Sequence, residues 1–127
     1  MVDMQVALRQ RIVSAAGYNR AYWTIVPQGT DLPYIRMQTV SDPRPETMKG
    51  YQSYRETRVQ VDVFAKTYAE ARAASESIIA EMGTPAKVAG VQFGRTRAEG
   101  PRDLGEDTSS GYVHRASLDL LVWHSLA

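Results

Sequence analysis

The sequence predicts an α+β domain in which two helices pack against a mainly antiparallel sheet of about five strands. Residues 55–83 have the pattern of a strand that runs directly into a helix, and residues 112–124 alternate apolar and polar side chains. Short connections, such as residues 27–32, favour antiparallel neighbours over crossovers. Because 127 residues suffice for one hydrophobic core, residues 1–127 are expected to form a single domain. The expected order of elements is α-β-β-β-α-β-β.

The first expected element is a short amphipathic helix. Asp3 is a candidate N-cap, and Gly17 ends the helix. The apolar residues between them recur at helical spacing: Met4, Leu8, Ile12 and Ala15 or Ala16. One side of this helix should therefore be buried.

Two strands and a long connection follow. Residues 21–26 are aromatic and β-branched, and residues 34–40 alternate apolar with polar side chains. The connection at residues 27–32 is short, so these two strands are expected to be antiparallel neighbours. Residues 41–54 contain two prolines and one glycine without a helical or strand period. We interpret them as a long loop or a flexible β-excursion.

The strand and helix within residues 55–83 form the unit around which we expect the other elements to be arranged. Four residues alternate along the strand and should face the core: Val59, Val61, Val63 and Ala65. Thr67 and Glu70 have the spacing of a capping box, which predicts a helix beginning at Tyr68. The apolar stripe of this helix is narrow and rich in alanine: Ala71, Ala74 or Ser75, Ile78 and Met82. Small side chains let such a helix lie close on a sheet until Gly83 ends it.

The last third of the chain is expected to contain two strands separated by a loop. Residues 88–97 have strand character weakened by two glycines. Residues 98–111 are too polar to bury much apolar surface, and we interpret them as a second long loop. Residues 112–124 form the last strand, and one set of alternating residues is assigned to the core: His114, Ala116, Leu118, Leu120 and Val122.

Charge and composition argue against several classes of function. Fifteen basic and fourteen acidic residues are spread along the chain, so there is no basic patch of the kind that binds nucleic acid or anionic membranes. Cysteine is absent, which excludes disulfides and thiolate metal sites. The N-terminal residues lack the pattern of a signal peptide, and no stretch approaches about 20 consecutive apolar residues. We expect a soluble protein made in a cytoplasm, without a membrane partner.

The sequence predicts no catalytic, metal or cofactor site. His114 and His124 are ten positions apart on one strand face, about 33 Å, which is too far for a shared metal. His114 should face away from Ser117 and Asp119, so these three residues cannot act as a hydrolytic triad. Nucleotide-binding glycine motifs are also absent. An enzyme of unrecognised type remains an alternative, and a ligand-dependent thermal shift would favour it.

A sheet-based nucleic-acid-binding module is a second alternative. Phe64, Phe93 and Tyr112 could stack on bases, as aromatic residues do on RNA-recognition sheets. However, the order of elements does not fit such a domain, and the charge balance adds nothing. We therefore favour aromatic residues of the core or of an interface.

Two features predict surfaces for assembly. The second face of the sheet is not uniformly polar, because Phe64, Leu121 and Trp123 fall on it. The two long connections are expected to order on contact with partners. Their candidate contact residues are Lys49, Tyr51, Tyr54, Arg95, Arg97 and Arg102.

Several stretches together resemble the tail-completion and tail-terminator family of long-tailed bacteriophages. They are VPQG at 26–29 and LPYI at 32–35, RVQVDVFA at 58–65 running into TYAEA at 67–71, and SLDLLVWH at 117–124. Their order and spacing carry the resemblance, which spans nearly the whole chain. Related particles that transfer host genes use similar parts.

The resemblance implies a structural role at the junction of head and tail. Family members form a ring, typically hexameric, on the head-proximal end of the tail tube, where they stop tube growth and present a surface to the head connector. The implied partners are other copies of the chain, the tail-tube protein, head connector or adaptor proteins, and DNA that passes through the lumen without sequence-specific binding. The first helix is short and the 41–54 connection is long for this pattern, so a head–tail adaptor remains an alternative to a terminator.

Overall fold

The computed structural model describes residues 3–44, 46–48, 50–51, 53–109 and 111–126, with side chains except those of Thr47 and Tyr51. Two helices form one layer, and a seven-stranded sheet forms the other. The helices are α1 (Met4–Ala16) and α2 (Tyr68–Met82). The strands are β1 (Ala21–Trp23), β2 (Tyr34–Ser41), β3 (Glu46–Thr47), β4 (Gly50–Tyr51), β5 (Arg55–Ala65), β6 (Ala86–Val88), β7 (Val91–Phe93), β8 (Arg97–Thr108) and β9 (Gly111–Leu126).

The sheet is built around its two longest central strands, β5 and β9. Its order is β1-β2-β5-β9, and the far side of β9 pairs with β8 along most of its length and with β7 near its end. β6 continues the sheet beyond β7, while β3 and β4 form a separate hairpin. The predicted α+β class is confirmed, but the prediction of about five strands was too low. The additional strands lie mainly in two segments: residues 41–54, interpreted as a long loop or a flexible β-excursion, contain β3 and β4, and residues 98–111, interpreted as a loop, contain most of β8.

The first two strands are parallel, which corrects the antiparallel pairing expected for them. Ala21 is opposite Ile35 and Trp23 is opposite Met37. β1 stops after three residues, because Thr24 has a left-handed backbone with φ of 60°. Residues 24–33 then form a connection long enough to return to the starting end of the sheet. The remaining pairs are antiparallel, so the sheet is mixed.

The segment at residues 98–111, predicted to be a loop, lies almost entirely in β8, which forms a long hairpin with β9. Its side chains are mostly exposed, so it lacks the apolar alternation by which strands are recognised. The strand is held by backbone pairing to β9, with a bulge between Glu99 and Arg102. The bulge requires a glycine at position 100. The φ angle there is 105°, and a Cβ would lie 2.8 Å from the Ser117 carbonyl oxygen. The strand predicted at residues 88–97 is interrupted: Val88 ends β6, Val91–Phe93 form β7, and β8 begins at Arg97.

Both helices cover the same face of the sheet. The two predicted N-caps are confirmed: Asp3 accepts a hydrogen bond from the Gln5 N–H, and Thr67 accepts one from the Glu70 N–H, which is the Thr67 half of the predicted capping box. Ile78 and the residues assigned to the core of β5 are fully buried. The buried core also contains Ala7, Leu8, Ile12, Ile35, Met37, Ala71, Met82, Phe93, Ala116, Leu118, Leu120 and Val122. The predicted phases of α2 and β9 are therefore correct.

A buried arginine joins the two helices. Arg11 donates from Nη2 to the carbonyl oxygens of Glu81 and Thr84, at 2.6 and 2.8 Å, and its Nε donates to the Glu81 carboxylate. Its guanidinium also lies 5.1 Å from the centre of the Phe93 ring. Glu81 lies in the last turn of α2 and Thr84 just beyond its end, so Arg11 ties α1 to the C-terminal end of α2. These contacts also fix the helix layer above the sheet.

Candidate assembly surface

The face of β2, β5, β9 and β8 that points away from the helices is called the open face. Strand alternation places its residues, since each strand that buries one set of side chains under the helices presents the other set here. In the part of the chain that the structure describes, neither helix packs on this face. Its side chains come from neighbouring positions in register across the four strands.

Asp62 is the centre of a charged cluster near one end of the open face. Its carboxylate accepts hydrogen bonds from Arg36 and Arg115, each at 3.2 Å, and from Gln60. Although no helix covers it, the Asp62 side chain has no exposed area. Burial opposes its ionisation, but hydrogen bonds from Ser117, Gln60 and Arg115 outweigh that effect and lower the pKa of Asp62. Asp62 is thus a charged centre that fixes two arginines on the surface.

A second charged cluster surrounds Asp119. Arg58 and Arg102 lie 3.6 and 3.7 Å from its carboxylate, and Arg58 also pairs with Glu99 at 3.1 Å. Arg102 additionally donates to the Ser117 hydroxyl at 3.3 Å. The charges therefore link β5, β9 and β8 across the face. Because the outer partners are well exposed, each ion pair contributes little to stability, and its groups can exchange partners on contact with another protein.

The aromatic residues of the open face stand at opposite ends. Phe64 stacks on Tyr34 at 4.8 Å between ring centres, whereas Trp123 stacks on Tyr54 at 5.8 Å. Phe64 is opposite Arg115 in β9, eight positions from Trp123, or about 26 Å along the strand. The three apolar residues expected on this face all lie on it, but the polar clusters divide them. Phe64 and Leu121 are each 9% exposed, while Trp123 is 40% exposed.

The other predicted contact residues are scattered. Arg97 and Arg102 lie on β8, where Arg97 is 3.8 Å from Glu56. Arg95 is exposed in the connection before β8. Tyr51 belongs to β4 and is described only in its backbone, and Lys49 lies outside the described residues. Among the predicted contact residues whose side chains the structure describes, Tyr54 stacks against the predicted aromatic Trp123.

A hydrogen-bonded chain that the sequence did not reveal ties the 41–54 connection to the sheet. The Thr57 hydroxyl donates to Asp42 at 2.8 Å and lies 2.8 Å from Nε2 of His124. An ionised carboxylate can only accept, so Thr57 uses its proton on Asp42 and accepts from the Nε2–H of His124. Arg55 donates to the same carboxylate at 2.9 Å. Asp42 sits in a stretch without any period, so nothing in the sequence pointed to these contacts.

The protonation of His124 is set by its burial. The residue is 4% exposed, and burial together with the nearby charge of Arg55 lowers its pKa to about 4. The imidazole is therefore neutral at pH 7, and the hydrogen bond to Thr57 places its one proton on Nε2. Thr57 is itself fully buried, so this cluster holds structure in place and does not face a substrate.

The geometry of the hydrolytic candidates agrees with their rejection from the sequence. His114 lies against the Tyr68 ring of α2, on the helix side, with the ring centres 6.3 Å apart. Ser117 and Asp119 point to the open face, where both take part in arginine contacts. Among the described residues, no cluster of three or more histidine or acidic side chains could hold a metal ion.

The β8–β9 hairpin extends beyond the end of β5. The pairing of β5 with β9 stops at Ala65 and His114, whereas β8 and β9 remain paired to Thr108 and Gly111. Residues 105–109 and 111–113, at the free end of this hairpin, are called the arm. The Tyr112 ring crosses over Gly105 so closely that a Cβ there would overlap it. A cavity of about 190 Å³ lies at the root of the arm on the open face, between Phe64 and Glu106.

Comparison with known proteins gives two matches of different kinds. Residues 4–125 match the model of a protein family described as "Tail completion protein gp17". A chain of the solved "Virion of native gene transfer agent (GTA) particle" has a similar fold, with a TM-score of 0.62 over 97% of this chain and 93% of that chain. The two sequences are 14% identical, so this likeness concerns the fold alone. No curated protein sequence gives a significant match. Within the described residues, no helix is long and apolar enough to cross a membrane.

Proposed function

We propose that this chain, which belongs to the tail completion protein gp17 family, forms a ring that ends tail-tube growth. The family match covers residues 4–125 and makes the chain a structural protein of bacteriophage tail completion and virion assembly. That match is the observation which carries the proposal. The ring, its hexameric size and its terminating role are the finer statements proposed here.

The fold offers the surfaces that a ring requires. A closed ring is built from head-to-tail contacts, so each subunit needs two different surfaces that fit each other. β1 and β8 stand at opposite edges of the same sheet and differ in length and charge. These edges supply two unlike lateral surfaces, and the open face remains for a further partner.

The proposed partners lie above and below the ring. The tail-tube protein would contact one side and the head connector or an adaptor protein the other, at the head–tail junction of the virion, after assembly in the host cytoplasm. Exposed Trp123 with Tyr54, and the exposed arginines Arg95, Arg97 and Arg102, are the contacts we propose for these partners. Lys49, Tyr51, Phe64 and Leu121 complete the proposed contact set. DNA would pass through the lumen without sequence-specific contact.

The proposed role is structural and uses no catalysis, metal or cofactor. The arginines on β8 form only weak ion pairs within the chain, so they remain available to pair with carboxylates of other proteins. The same role accounts for the nearly neutral charge of the chain, since its surfaces must accept several protein partners.

The position of the protein in the particle tests the proposal. We expect cryo-electron microscopy of purified tails that have not joined heads to show this fold as a ring at one end of every tail. If the fold is absent from free tails but present on filled heads, the protein is a head–tail adaptor instead of a terminator. If it occurs at neither place, the proposed function is wrong.

A further inference from the structure

We propose that neighbouring copies join head to tail through charge, with the acidic arm of one copy seated against the basic β1 edge of the next. This inference rests on the proposed ring and specifies how the ring closes. The partner is a second copy of this chain, because both complementary surfaces are on the same molecule.

The arm supplies the acidic half of the contact. Glu106 and Asp107 are exposed near its end, and in the described part of the chain neither carboxylate has an ion pair or a side-chain hydrogen bond. This separates them from the acidic residues of the open face, where Asp62, Glu99 and Asp119 are all paired with arginines. The arm thus presents two unused negative charges on a projecting hairpin.

The β1 edge supplies the basic half. Arg9 donates to the carbonyl oxygens of Ala21 and Asn19, both at 2.9 Å, and Arg20 donates from Nε to the Pro33 carbonyl at 2.8 Å. A guanidinium has five N–H donors, so both arginines keep donors for a carboxylate. Neither has an acidic side chain within ion-pair distance in the described residues.

Two acidic residues lie in the same region but do not pair with Arg9 or Arg20. Asp31 is exposed in the connection that leads into β2, and Glu70 is exposed in the first turn of α2. Glu70 is close enough to Tyr18 to act on its ionisation. Neither carboxylate forms an ion pair with Arg9 or Arg20 within the described structure, so the edge arginines remain available to a neighbour.

The two charged groups have the geometry of a ring contact. β1 and β8 are separated by three strands, so the edges stand about 19 Å apart across the sheet. In register, Ala21, Ile35, Val63 and Ala116 lie at one level, so Arg20 and the arm are at the same end of the sheet. Rotation about an axis roughly along the strands therefore brings the arm of one copy to the β1 edge of the next. The arm extends about 10 Å past the end of β5, which lets it reach across the boundary.

The contact uses charge and not addition of a strand. Free strand edges invite pairing with another strand unless they are blocked. Arg9 already occupies the Ala21 carbonyl oxygen, which β1 would otherwise offer to a neighbour, and also binds the Asn19 carbonyl oxygen just before the strand. A carboxylate can still bind to that guanidinium, so the arginine both blocks strand addition and creates an anion site.

Charge reversal tests the pairing in cells that produce the particle but lack their own copy of this protein. One variant reverses the arm, with Glu106→Lys and Asp107→Lys. The other reverses the edge, with Arg9→Glu and Arg20→Glu. Each alone places like charges at every contact, so neither should restore normal tails. Expressed together, the two variants can alternate around an even-numbered ring with every contact attractive, and we expect them to restore normal tails.

Controls separate this inference from the proposed function. Lys87→Glu reverses an exposed charge on β6, which lies beyond β7 at the end of β9 opposite the arm, and should restore tails as the native protein does. Thermal unfolding of each purified variant shows whether it folds. If the arm variant alone restores normal tails, or if two folded variants fail together, the charge contact is wrong while the ring still stands. If tails are normal without any copy of the protein, the proposed function itself has failed.

Discussion

Single residues explain how the open face stays ordered without a covering layer. The Asp62 carboxylate is hidden by the side chains around it, and two arginines and an amide satisfy its oxygens. Buried charge is tolerated only when it is paired and hydrogen-bonded, and Asp62 meets both conditions. The arginines are about 30% exposed, so each joins the buried carboxylate to the surface. A fixed pattern of charge on an otherwise unsupported sheet face is the result.

Neutralising Asp62 tests this view. Asp62→Asn keeps the shape of the side chain but removes the charge that Arg36 and Arg115 share, so we expect a loss of about 2 kcal/mol in the free energy of unfolding. Chemical denaturation at pH 7 measures the effect. Glu56→Gln is the control, because its ion pair with Arg97 is long and exposed, and it should cost under about 0.5 kcal/mol. Equal losses for the two variants would show that Asp62 does not organise the face.

His124 makes stability depend on pH in a defined window. The unfolded chain binds this proton at a pKa of 6.5, whereas the folded protein binds it at about 4. Between these values the unfolded state holds more protons, so the free energy of unfolding falls as the pH drops from 6.5 to 4. Asp42 and Asp62, whose pKa values are lowered from 3.8, stabilise the fold above that value and add their losses below it.

Replacing the imidazole should flatten this slope. His124→Gln retains an N–H donor for Thr57 but has no group that titrates in this range. We expect denaturation curves of the variant to change little between pH 6.5 and about 4.5, while those of the native protein shift steadily to lower denaturant concentration. Curves that shift in parallel for both proteins would contradict the assignment.

At the scale of secondary-structure elements, the sequence predicted correctly the elements whose signals are local. The capping box at Thr67 and the stripe ending at Met82 predicted α2 with its correct bounds, because helix caps and side-chain periodicity depend on near neighbours. β8 was missed because its side chains are mostly exposed and carry no apolar alternation, and because its pairing partner β9 cannot be read from the β8 residues themselves. The parallel β1 was missed because its direction depends on where the chain turns back, at Thr24.

The open face could also be predicted only in part. Alternation along β9 placed Leu121 and Trp123 on the face opposite the core, as observed. The clusters around Asp62 and Asp119 depend on register between strands distant in sequence, which periodicity does not contain. The same holds for Asp42 and His124, which lie far apart in sequence and meet only through Thr57.

The contact between α2 and the sheet can be tested with one matched pair of variants. Ile78 is fully buried between the two layers, so Ile78→Asp would bury an unpaired carboxylate, and we expect no soluble folded protein. Glu76 is exposed on the same helix and pairs weakly with Arg72 at 3.7 Å. Glu76→Ala should cost under about 0.5 kcal/mol. Soluble yield and thermal unfolding decide the outcome, and similar tolerance of both changes would refute the packing of this helix.

At the scale of the whole molecule, the fold separates three kinds of surface. The helix layer closes the core, and the open face carries paired charges with aromatic residues at its ends. Among the described residues, Arg9 and Arg20 at the β1 edge and Glu106 and Asp107 of the arm are charges of opposite sign without ion-pair partners. This division suits a subunit that contacts two neighbours through its edges and other proteins through its faces. The small size and near-neutral charge of the chain fit a part that is completed only by assembly.

The length of tails made without this protein tests the central claim most directly. In cells that produce the particle, the gene for this chain is deleted, and the tails are measured by negative-stain electron microscopy. If the protein ends tube growth, tails should be overlong and variable in length and should fail to join heads, and supplying the native protein should restore both length and joining. Unjoined tails of normal, uniform length would contradict a terminating role.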